Sequence, residues 1–575
     1  MDKNEIAATF EEIATLLELK GANPFRIRAY RNAARSLLNS ERELDDLIEK
    51  KTLTDLPGIG EDLADKISKL AKNQTLTFHE KLKRSIPSGI FKLIQLPGLG
   101  PKKVKILHQK LKIQNIDQLK KACLNGQVAN LKGFGIKTEK NILDAIAQGE
   151  TYQKRHLWWD ALQNAQPILE ALKKQKEVKQ AEIAGSLRRK LETIGDIDLI
   201  VASAHPEKLM NWFVSQPFIE KILAKGTTKT SVRLKIGMQL DLRIVPASQF
   251  AFALCYFTGS KEHNIRIRHR SLKKGWSLSE YGFESTQKGA GRKFKKILNE
   301  SDLYQSLNLS YIPPELREDA EEIEAAEKRT LPMLLEEKEI RGTFHNHTTA
   351  SDGRNHLKDM VEGAEKMGWE YIGISDHSKS SVQANGLNEE RLMEQVRQIK
   401  QINHSQKFKI HIFSGTECDI LANGTLDFSD DLLKKLDFVI ASVHSSLTQD
   451  EKTMTKRMIR AIENPYMTML GHITGRLLLK REGYKININK VIDACIANKK
   501  IIEINGNPNR MEMDWRYWHK AKEKGLLCCI NTDAHAVSHH QFFRCGVNIA
   551  RKGWLEKKNV LNTRPLKEIL KYLDH

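Results

Sequence analysis

The last 235 residues of this 575-residue chain alternate short apolar runs with helical segments, and this alternation constrains the fold most strongly. The apolar runs cover residues 371–374, 438–443, 501–504 and 526–530. Strands that alternate with helices form parallel sheets, because each helix returns the chain before the next strand begins. The pattern therefore predicts a parallel α/β arrangement from residue 341 onward, most simply a barrel.

Histidine and acidic residues follow several of these apolar runs. His345 and His347 lie two residues apart, so both rings leave one face of a strand, while His377, His444 and Asp533 follow later runs. The carboxyl ends of barrel strands meet at one mouth, so these side chains should converge there. One buried histidine is usually a core residue, but histidine and acidic residues that follow several apolar runs together indicate a site for Zn²⁺, Mn²⁺ or Fe²⁺.

A second group of acidic residues lies in the middle of the chain. Asp196 and Asp198 are two residues apart on a predicted strand and share one face, and Asp241 lies on another predicted strand. Three converging carboxylates repel one another unless cations neutralise them, and oxygen ligands of this kind suit Mg²⁺. Two such ions could activate an attacking oxygen and stabilise a leaving one. The preceding Gly-Ser-Leu-Arg-Arg segment at 185–189 could approach a triphosphate and donate hydrogen bonds to it.

A glycine hairpin recurs in the first 150 residues. Leu-Pro-Gly-x-Gly occurs at 56–60 and 96–100, and a weaker form occurs at 131–135. Such a turn and the helix that follows it can direct backbone N–H groups at a phosphate without reading base sequence. These segments resemble helix-hairpin-helix DNA-binding motifs, although simple helix connectors are the alternative. The expected DNA-binding residues are Gly58, Gly60, Gly98 and Gly100.

Charge and composition narrow the class of protein. Lys and Arg number 93 against 72 Asp and Glu, which gives a net charge of +21. This charge favours a nucleic-acid partner over the alternative that the excess positive charge serves only solubility. No apolar run approaches the length of a membrane span, and the first residues lack a signal-peptide pattern. Seven cysteines are too few for a disulfide scaffold. We therefore expect a cytoplasmic multidomain protein without membrane contact.

Residues 1–315 resemble the family X DNA polymerases, the group that contains DNA polymerase beta. The resemblance rests on the segments 185–189, 195–200 and 256–260 and on Asp241. It implies a nucleotidyltransferase palm with a thumb, in which Asp196, Asp198 and Asp241 are catalytic and hold two Mg²⁺ ions. Arg268 would lie near the template. The implied nucleotide-binding residues are Gly185, Ser186, Arg189, Tyr256, Phe257, Gly259 and Asn264.

Lys66 follows the first hairpin at the position of the Schiff-base lysine of that family, which makes it a candidate lyase residue. Arg26 and Tyr30 fall at the helper positions. Such a lysine attacks an abasic sugar when its pKa is lowered, whereas most helical lysines are solvated surface charges. The chain departs from the vertebrate relative at Asp62, which replaces a basic residue, and at Gln239, which replaces an Arg beside the third Asp.

Residues 340–575 resemble the PHP domain, named after polymerase and histidinol phosphatase. The resemblance implies a distorted seven-stranded β/α barrel that holds up to three ions, Mn²⁺ or Zn²⁺, and hydrolyses phosphoesters. On DNA this activity could be a 3′-5′ exonuclease, a 3′-phosphatase or an abasic-site (AP) endonuclease, and the sequence does not rank the three. The implied metal ligands are His345, His347, Asp352, His377, Glu417, His444, His472, Asp533 and His535.

The combined architecture resembles the bacterial-type family X DNA polymerases with a C-terminal PHP domain. We expect a multidomain α/β enzyme that fills gaps during DNA repair, with gapped or primer-template DNA and dNTPs as partners. The predicted domains are a helical lyase-like domain (1–80), a fingers-type helix-hairpin-helix domain (81–150), a palm (151–250), a thumb (251–314), an acidic linker (315–339) and the PHP domain (340–575).

Two other hypotheses fit parts of the sequence. The first is a DNA-binding repair scaffold with an inactive PHP site, and the complete set of acidic and histidine residues argues against it. The second is a small-molecule phosphatase fused to a nucleotidyltransferase that does not use DNA. The hairpins and the net charge of +21 argue against that second alternative.

Overall fold

The computed structural model describes residues 3–40, 44–72, 74–86, 89–94, 99–131, 133–147, 155–286 and 296–574. The chain forms two compact units, residues 1–154 and 155–575. Gly98, one of the predicted DNA-binding glycines, lies outside the described residues. Among the described residues, no helix combines the length and the apolar character that a membrane crossing requires.

The first unit is built from amphipathic helices. Ile6, Phe10 and Ile13 recur on one face of the first helix and are fully buried, as the helical period predicts. The side chain of Asn23 accepts a hydrogen bond from the backbone of Phe25 and caps the second helix. The helices are α1 (Lys3–Lys20), α2 (Pro24–Asn39), α3 (Leu44–Glu49), α4 (Glu61–Ala71), α5 (Thr77–Arg84), α6 (Gly89–Ile94), α7 (Pro101–Leu111), α8 (Ile116–Leu124) and α9 (Ile136–Ala147).

The predicted hairpins lie directly before helices. Gly60 is the N-cap of α4, and Gly100 is the N-cap of α7. Gly58 and Gly133 have φ values of +80° and +88°, a left-handed conformation that glycine adopts without steric cost. Within the described residues, no side chain caps the start of α4 or α7, so the first backbone N–H groups of these helices can face an anion.

The second unit begins with a mixed five-stranded sheet in the order β2-β4-β7-β6-β5. Strands β4 and β7 are parallel neighbours, and the other pairs in this sheet are antiparallel. The strands are β1 (His156–Leu157), β2 (Val178–Ile183), β3 (Thr193–Ile194), β4 (Asp196–Ser203), β5 (Ile219–Lys225), β6 (Lys229–Leu234) and β7 (Gln239–Val245), and the helices are α10 (Trp158–Lys173), α11 (Gly185–Arg188) and α12 (Pro206–Val214).

A helical segment with a small antiparallel hairpin follows this sheet. Its apolar centre includes Leu303, Tyr304 and Ile312, all fully buried. The elements are α13 (Phe250–Thr258), α14 (Lys261–Lys273), β8 (Trp276–Leu278), β9 (Phe283–Ser285) and α15 (Glu300–Ser306).

The segment predicted to be an acidic linker, residues 315–339, is packed against its surroundings. It contains helix α16 (Glu322–Lys328), with short helical turns before and after it. Arg317 is fully buried and donates to Glu300, while Glu322 is fully buried beside His263. The acidic residues here therefore serve partly as interior hydrogen-bond and ion-pair partners. The boundaries of the predicted domains remain a prediction.

The remainder of the second unit is a seven-stranded parallel sheet in simple sequential order. Asn346, after the first strand, pairs with Ala534, after the last, so the sheet nearly closes into a barrel. This confirms the predicted fold class. The strands are β10 (Gly342–Thr343), β11 (Tyr371–Ile374), β12 (His411–Asp419), β13 (Phe438–Ser442), β14 (Met469–Leu470), β15 (Ile501–Asn505) and β16 (Cys528–Asn531).

Helices surround the barrel because the chain must return to the same end of the sheet before the next parallel strand begins. Their apolar faces pack on the strands, as Val491, Ile492 and Cys495 do from one helix. The helices are α17 (Leu357–Lys366), α18 (Glu389–Ser405), α19 (Asp430–Leu433), α20 (Glu451–Ile462), α21 (Ile488–Ala497), α22 (Trp515–Glu523), α23 (Phe543–Lys552) and α24 (Leu566–Leu573).

The five-stranded sheet and the barrel share one hydrophobic core. Trp159 of α10 contacts Phe542 edge to face, with ring centroids 5.4 Å apart. Ion pairs add to this contact, since Arg476 lies 3.6 Å from Glu192 and Arg551 lies 2.9 Å from Glu315. Residues 155–575 therefore behave as one body.

Candidate active sites

Three carboxylates converge on one face of the five-stranded sheet. Asp198 of β4 lies opposite Asp241 of β7 in the parallel register, and Asp196 lies two residues before Asp198 on the same face. Ile197 and Leu199 point to the other face and are fully buried. The structure thus brings together the three residues that the sequence spacing singled out.

The electrostatics of this group favour a bound cation. Burial raises the pKa of Asp198 to about 7, and the negative charges of Asp196 and Asp241 contribute to the increase. The pKa of Asp196 is raised by desolvation and by Asp241. Carboxylates that resist ionisation in the absence of a counterion become favourable ligands when a hard divalent ion binds, so the donor set fits Mg²⁺.

Both oxygens of Asp241 have polar neighbours in the sheet. The Lys229 ammonium lies 3.1 Å from Oδ2, and Gln239 donates from Nε2 to Oδ1 at 3.0 Å. Gln239 stands where the vertebrate relative has an Arg, and here β6 supplies a positive charge through Lys229. Lys229 was not predictable from the sequence, because its proximity to Asp241 depends on the antiparallel register of β6 on β7.

Gly185 must be a glycine for two reasons. Its φ is +62°, and a Cβ atom there would lie 2.3 Å from Oδ2 of Asp198. The short helix α11 starts at this glycine and includes Ser186. The turn therefore holds the predicted triphosphate-binding residues directly beside the carboxylates.

Arg189 follows this turn and is held by other parts of the chain. Its Nε donates to Glu318 Oε1 at 3.1 Å, and its Nη1 donates to the backbone carbonyl of Thr258. A Cβ on Gly259 would lie 3.1 Å from Nη1. The guanidinium is therefore fixed between the sheet and the Thr258–Gly259 turn.

The other predicted nucleotide-binding residues lie at the end of α13 and on α14. The rings of Tyr256 and Phe257 meet edge to face at 5.0 Å, and Arg243 lies 4.0 Å from the Phe257 centroid. Asn264 donates to the Tyr256 carbonyl at 2.7 Å. Arg268, one turn after Asn264 on α14, is exposed.

Lys66 lies on α4 in the first unit, close to the hairpin that contains Gly58 and Gly60. Its ammonium forms an ion pair with Asp62 and lies 5.9 Å from the Tyr30 ring centroid. Its side chain is only 16% exposed, so it is not a fully solvated lysine. Arg26, the other predicted helper, stacks on Phe78 at 4.6 Å.

A second polar site lies at the carboxyl ends of the barrel strands. The structure brings the predicted ligands together there, and three groups of them have ligand atoms within 4.8 Å of one another. His472 joins these groups through its contacts with Glu417 and His444, at 2.7 and 3.2 Å. The three groups are His347, Asp352, His377 and His535; His345, His347 and Asp533; and His377, Glu417 and His444.

Glu417, on β12, is the central carboxylate of this site. Its Oε2 lies 3.2 Å from His345 Nε2 and 3.0 Å from His377 Nδ1, and its Oε1 lies 3.3 Å from His444 Nε2. One carboxylate that faces several imidazoles from both of its oxygens would serve as a central ligand when metal ions are bound.

The charges in the barrel site are unbalanced without a metal. Burial lowers the pKa of His347 to about 4, and the neighbouring His535 and His377 add to this decrease. Burial opposes the charging of His444, yet Glu417 and Asp419 raise the pKa of His444 to about 10. Both ring nitrogens of His347 are buried, and within the described part of the chain neither forms a hydrogen bond. Orphaned imidazole nitrogens beside carboxylates fit Zn²⁺ or Mn²⁺.

Two carboxylates outside the predicted ligand set orient the ligands. Glu503 Oε1 lies 2.6 Å from Nδ1 of His345, and Asp419 Oδ1 lies 2.8 Å from Nδ1 of His444. Such contacts fix the tautomer and direct the other ring nitrogen at the metal. Neither residue was among the predicted site residues, although a glutamate inside the apolar run 501–504 was a detectable signal.

A cleft of about 780 Å³ opens over the barrel ligands. Lys480, Arg481 and Arg510 contribute positive charge to its wall, and Val382 and Leu447 contribute apolar surface. Arg510 also lies 3.1 Å from Asp533 Oδ2, at the edge of the metal site. The cleft can therefore accept a phosphate chain together with an apolar group such as a base.

Comparisons with protein-family models identify four regions of the chain. Residues 1–76 match the Helix-hairpin-helix domain, and residues 91–148 match the SAM-like Helix-hairpin-helix tandem. Residues 253–318 match the DNA polymerase beta thumb, and residues 343–507 match the PHP domain. The presence of helix-hairpin-helix, thumb and PHP parts in the chain, which the predicted fold class includes, is therefore confirmed.

Curated relatives extend this result to the whole chain. DNA polymerase/3′-5′ exonuclease PolX of Bacillus subtilis (strain 168) is 38% identical over 575 residues, which cover 100% of this chain and 99% of that protein. A probable phosphatase of Thermoanaerobacter sp. (strain X514) is 30% identical over 244 residues, 40% of this chain and 93% of the relative. A probable phosphatase of Caldicellulosiruptor bescii is 32% identical over 204 residues, 33% of this chain and 78% of the relative. The chain therefore belongs to the family of PolX, the bacterial family X DNA polymerases with a PHP domain.

Proposed function

We propose that this chain is a gap-filling DNA polymerase in DNA repair whose PHP barrel acts as a 3′-5′ exonuclease. The observation that carries the proposal is the presence, within one body, of two separate groups of metal-binding side chains with different chemistry. Carboxylates alone form the group on the sheet, whereas imidazoles and carboxylates form the group in the barrel. The polymerase and exonuclease activities named for the Bacillus subtilis relative support this pairing.

In the polymerase reaction, Asp196, Asp198 and Asp241 would hold two Mg²⁺ ions. When bound there, these ions lower the pKa of the primer 3′-hydroxyl and neutralise the triphosphate. Backbone atoms at Gly185 orient the triphosphate, because this glycine lies against Asp198. The guanidinium of Arg189, which Glu318 and the Thr258 carbonyl hold just after this turn, also orients the triphosphate. Tyr256, Phe257 and Gly259 face the sugar, Asn264 the base edge and Arg268 the template.

In the barrel, the nine predicted ligands would hold up to three Mn²⁺ or Zn²⁺ ions. Such ions activate water and neutralise the phosphate that is attacked. Lys480, Arg481 and Arg510 bind the phosphates of the 3′-terminal strand, and Val382 and Leu447 contact its bases. Glu503 and Asp419 keep the imidazoles oriented.

A 3′-phosphatase is the second candidate for the barrel. The similarity to two probable phosphatases favours it. An AP endonuclease is a third activity of the same chemistry, because all three reactions hydrolyse a phosphoester of DNA. A panel of duplexes with a 3′-hydroxyl, a 3′-phosphate or an abasic site ranks them directly.

The first unit supplies contacts to the DNA backbone through Gly58, Gly60, Gly98 and Gly100. Lys66 is proposed as the residue that forms a Schiff base with an abasic sugar, since its side chain is largely buried beside Tyr30. Borohydride should trap the wild-type chain on abasic DNA, and Lys66→Ala should not be trapped. Equal trapping of the variant contradicts the assignment.

A cytoplasmic location accords with seven buried cysteines that are all free thiols.

One experiment tests both activities in the full chain. A labelled gapped duplex is incubated with Mg²⁺ or Mn²⁺, with and without dNTPs. Asp196→Ala/Asp198→Ala should lose primer extension and retain degradation, whereas His345→Ala/His347→Ala should lose degradation and retain extension. Each double variant is the folding control for the other. If the histidine variant degrades DNA as well as the wild type, the barrel assignment is wrong.

A further inference from the structure

The last residue of helix α23 in the barrel, Lys552, is a buried charge that belongs to neither group of predicted metal ligands. It is 1% exposed. Its ammonium donates to Glu318 Oε1 at 2.8 Å and to the backbone carbonyls of Arg189 and Glu315 at 3.0 and 3.2 Å. Three acceptors match the three N–H groups of a lysine and offset part of the cost of burying it, although burial still lowers the pKa of Lys552.

Glu318 connects Lys552 to the nucleotide site. The same Oε1 atom accepts from Lys552 and from Nε of Arg189, at 2.8 and 3.1 Å. Burial alone would raise the pKa of Glu318, but Lys552 and Arg189 lower it below its ordinary value. The carboxylate is therefore ionised and shared between two cations.

We propose that Lys552 is a positioning residue for nucleotide incorporation, which holds Glu318 so that Arg189 presents its guanidinium to the incoming triphosphate. The PHP barrel thereby forms part of the nucleotide site of the polymerase. This inference rests on the proposed function, in which Arg189 contacts the triphosphate. Lys552 itself touches neither the triphosphate nor the metal ligands, and acts through Glu318.

The physical reason is a balance of charge. With Lys552 present, the Glu318 carboxylate has a cation of its own, and the positive charge of Arg189 remains available to an anion. Without Lys552, Glu318 and Arg189 form an isolated buried pair, and the guanidinium is neutralised by a carboxylate before the triphosphate arrives. Binding of the nucleotide then weakens, while the carboxylates that carry the chemistry are unchanged.

The test measures single-nucleotide incorporation by the full chain on a gapped duplex with Mg²⁺. Lys552→Met keeps the length of the side chain and removes its charge. We expect its KM for dNTP to rise about tenfold with little change in kcat, as the loss of one charge-assisted contact implies. Lys552→Arg should restore part of the affinity.

A double substitution separates charge balance from simple damage to the interface. Lys552→Met/Glu318→Gln removes the cation and the carboxylate together, so its KM for dNTP should lie closer to that of the wild type than the KM of Lys552→Met does. The matched control is Arg551→Met on the same helix, which breaks bonds to Glu315 and to the Leu335 carbonyl instead. Its KM should stay unchanged.

Exonuclease activity of the same preparations reports whether the barrel remains folded, and Lys552→Met should keep it. The inference is overturned if Lys552→Met raises KM no more than Arg551→Met does, or if it lowers extension and degradation together. It is also overturned if the double variant is worse than the single one. Wild-type protein that fails to extend a primer at all would instead refute the proposed function.

Discussion

Replacement of Asp198 by asparagine should stabilise the chain when no divalent ion is present. The pKa of this carboxyl is raised from an ordinary value of 3.8 to about 7 by burial and by the charges of Asp196 and Asp241. The folded chain therefore keeps a proton that the unfolded chain has already released. Stability falls as pH rises from about 4 to about 7, and the full loss is present above pH 7.

The size of the effect follows from this difference in pKa. At about 1.36 kcal/mol per pKa unit, ionisation of Asp198 costs the folded state about 4 kcal/mol at pH 8. The amide of the substituted asparagine carries no charge at any pH, so the variant avoids this cost. Residues 155–575 share one core, and a body of this size has an unfolding entropy of about 0.9 kcal/mol/K. The expected increase in Tm is about 4 °C at pH 8 and close to zero at pH 4.

The assay is thermal unfolding in a chelator, followed by near-UV circular dichroism at pH 8 and at lower pH. Addition of Mg²⁺ should raise the Tm of the wild type and reduce the advantage of Asp198→Asn, because the ion neutralises the carboxylates. Asp493→Asn, a change in an exposed ion pair with Lys524, is the control and should leave Tm nearly unchanged. A Tm of Asp198→Asn below that of the wild type at pH 8 would refute the electrostatic argument.

Further outcomes are expected from the two sites. Gly185→Ala should abolish primer extension and leave exonuclease activity intact, because the new Cβ would meet Asp198; normal extension contradicts this. Glu503→Gln should weaken Mn²⁺ binding about 10–100-fold in titration calorimetry by releasing Nδ1 of His345, and an unchanged affinity would exclude that role. Burial opposes the charging of His444 and His535, yet nearby carboxylates raise their pKa values to about 10 and about 9. Both should release protons when Mn²⁺ binds, so the affinity for Mn²⁺ should rise from pH 6 to 9. Calorimetry in buffers of different ionisation enthalpy measures this proton release. DNA affinity should fall with log slope about −0.9 per neutralised phosphate as salt rises, and a flat response would exclude backbone-dominated binding.

Local spacing predicted those features that depend on neighbouring residues. The separation of Asp196 from Asp198 by one residue places both on one face of β4, as predicted. His345 and His347 lie just beyond the end of β10 and not on the strand, and both approach Glu417. The apolar runs in the last part of the chain likewise predicted parallel strands, and the structure confirms the seven-stranded barrel. These predictions needed no knowledge of which strands pair.

Features that depend on strand register or on distant partners were not predictable. Lys229 approaches Asp241 only because β6 pairs with β7 in one register. The acidic residues of segment 315–339 predicted a linker, but their spacing did not indicate that Glu315 and Glu322 are buried against Arg551 and His263. A charge is solvated or paired according to which side chain the fold brings to it, and the spacing along the chain does not contain that information.

The common core beneath the sheet and the barrel limits how such enzymes can be shortened during evolution. Loss of the barrel would leave Trp159 without Phe542 and would uncover a wide apolar surface on α10. A descendant that discards its nuclease half must therefore acquire polar side chains at position 159 and its neighbours, or aggregate. Related polymerases that lack the barrel should therefore carry polar side chains at position 159 and its neighbours.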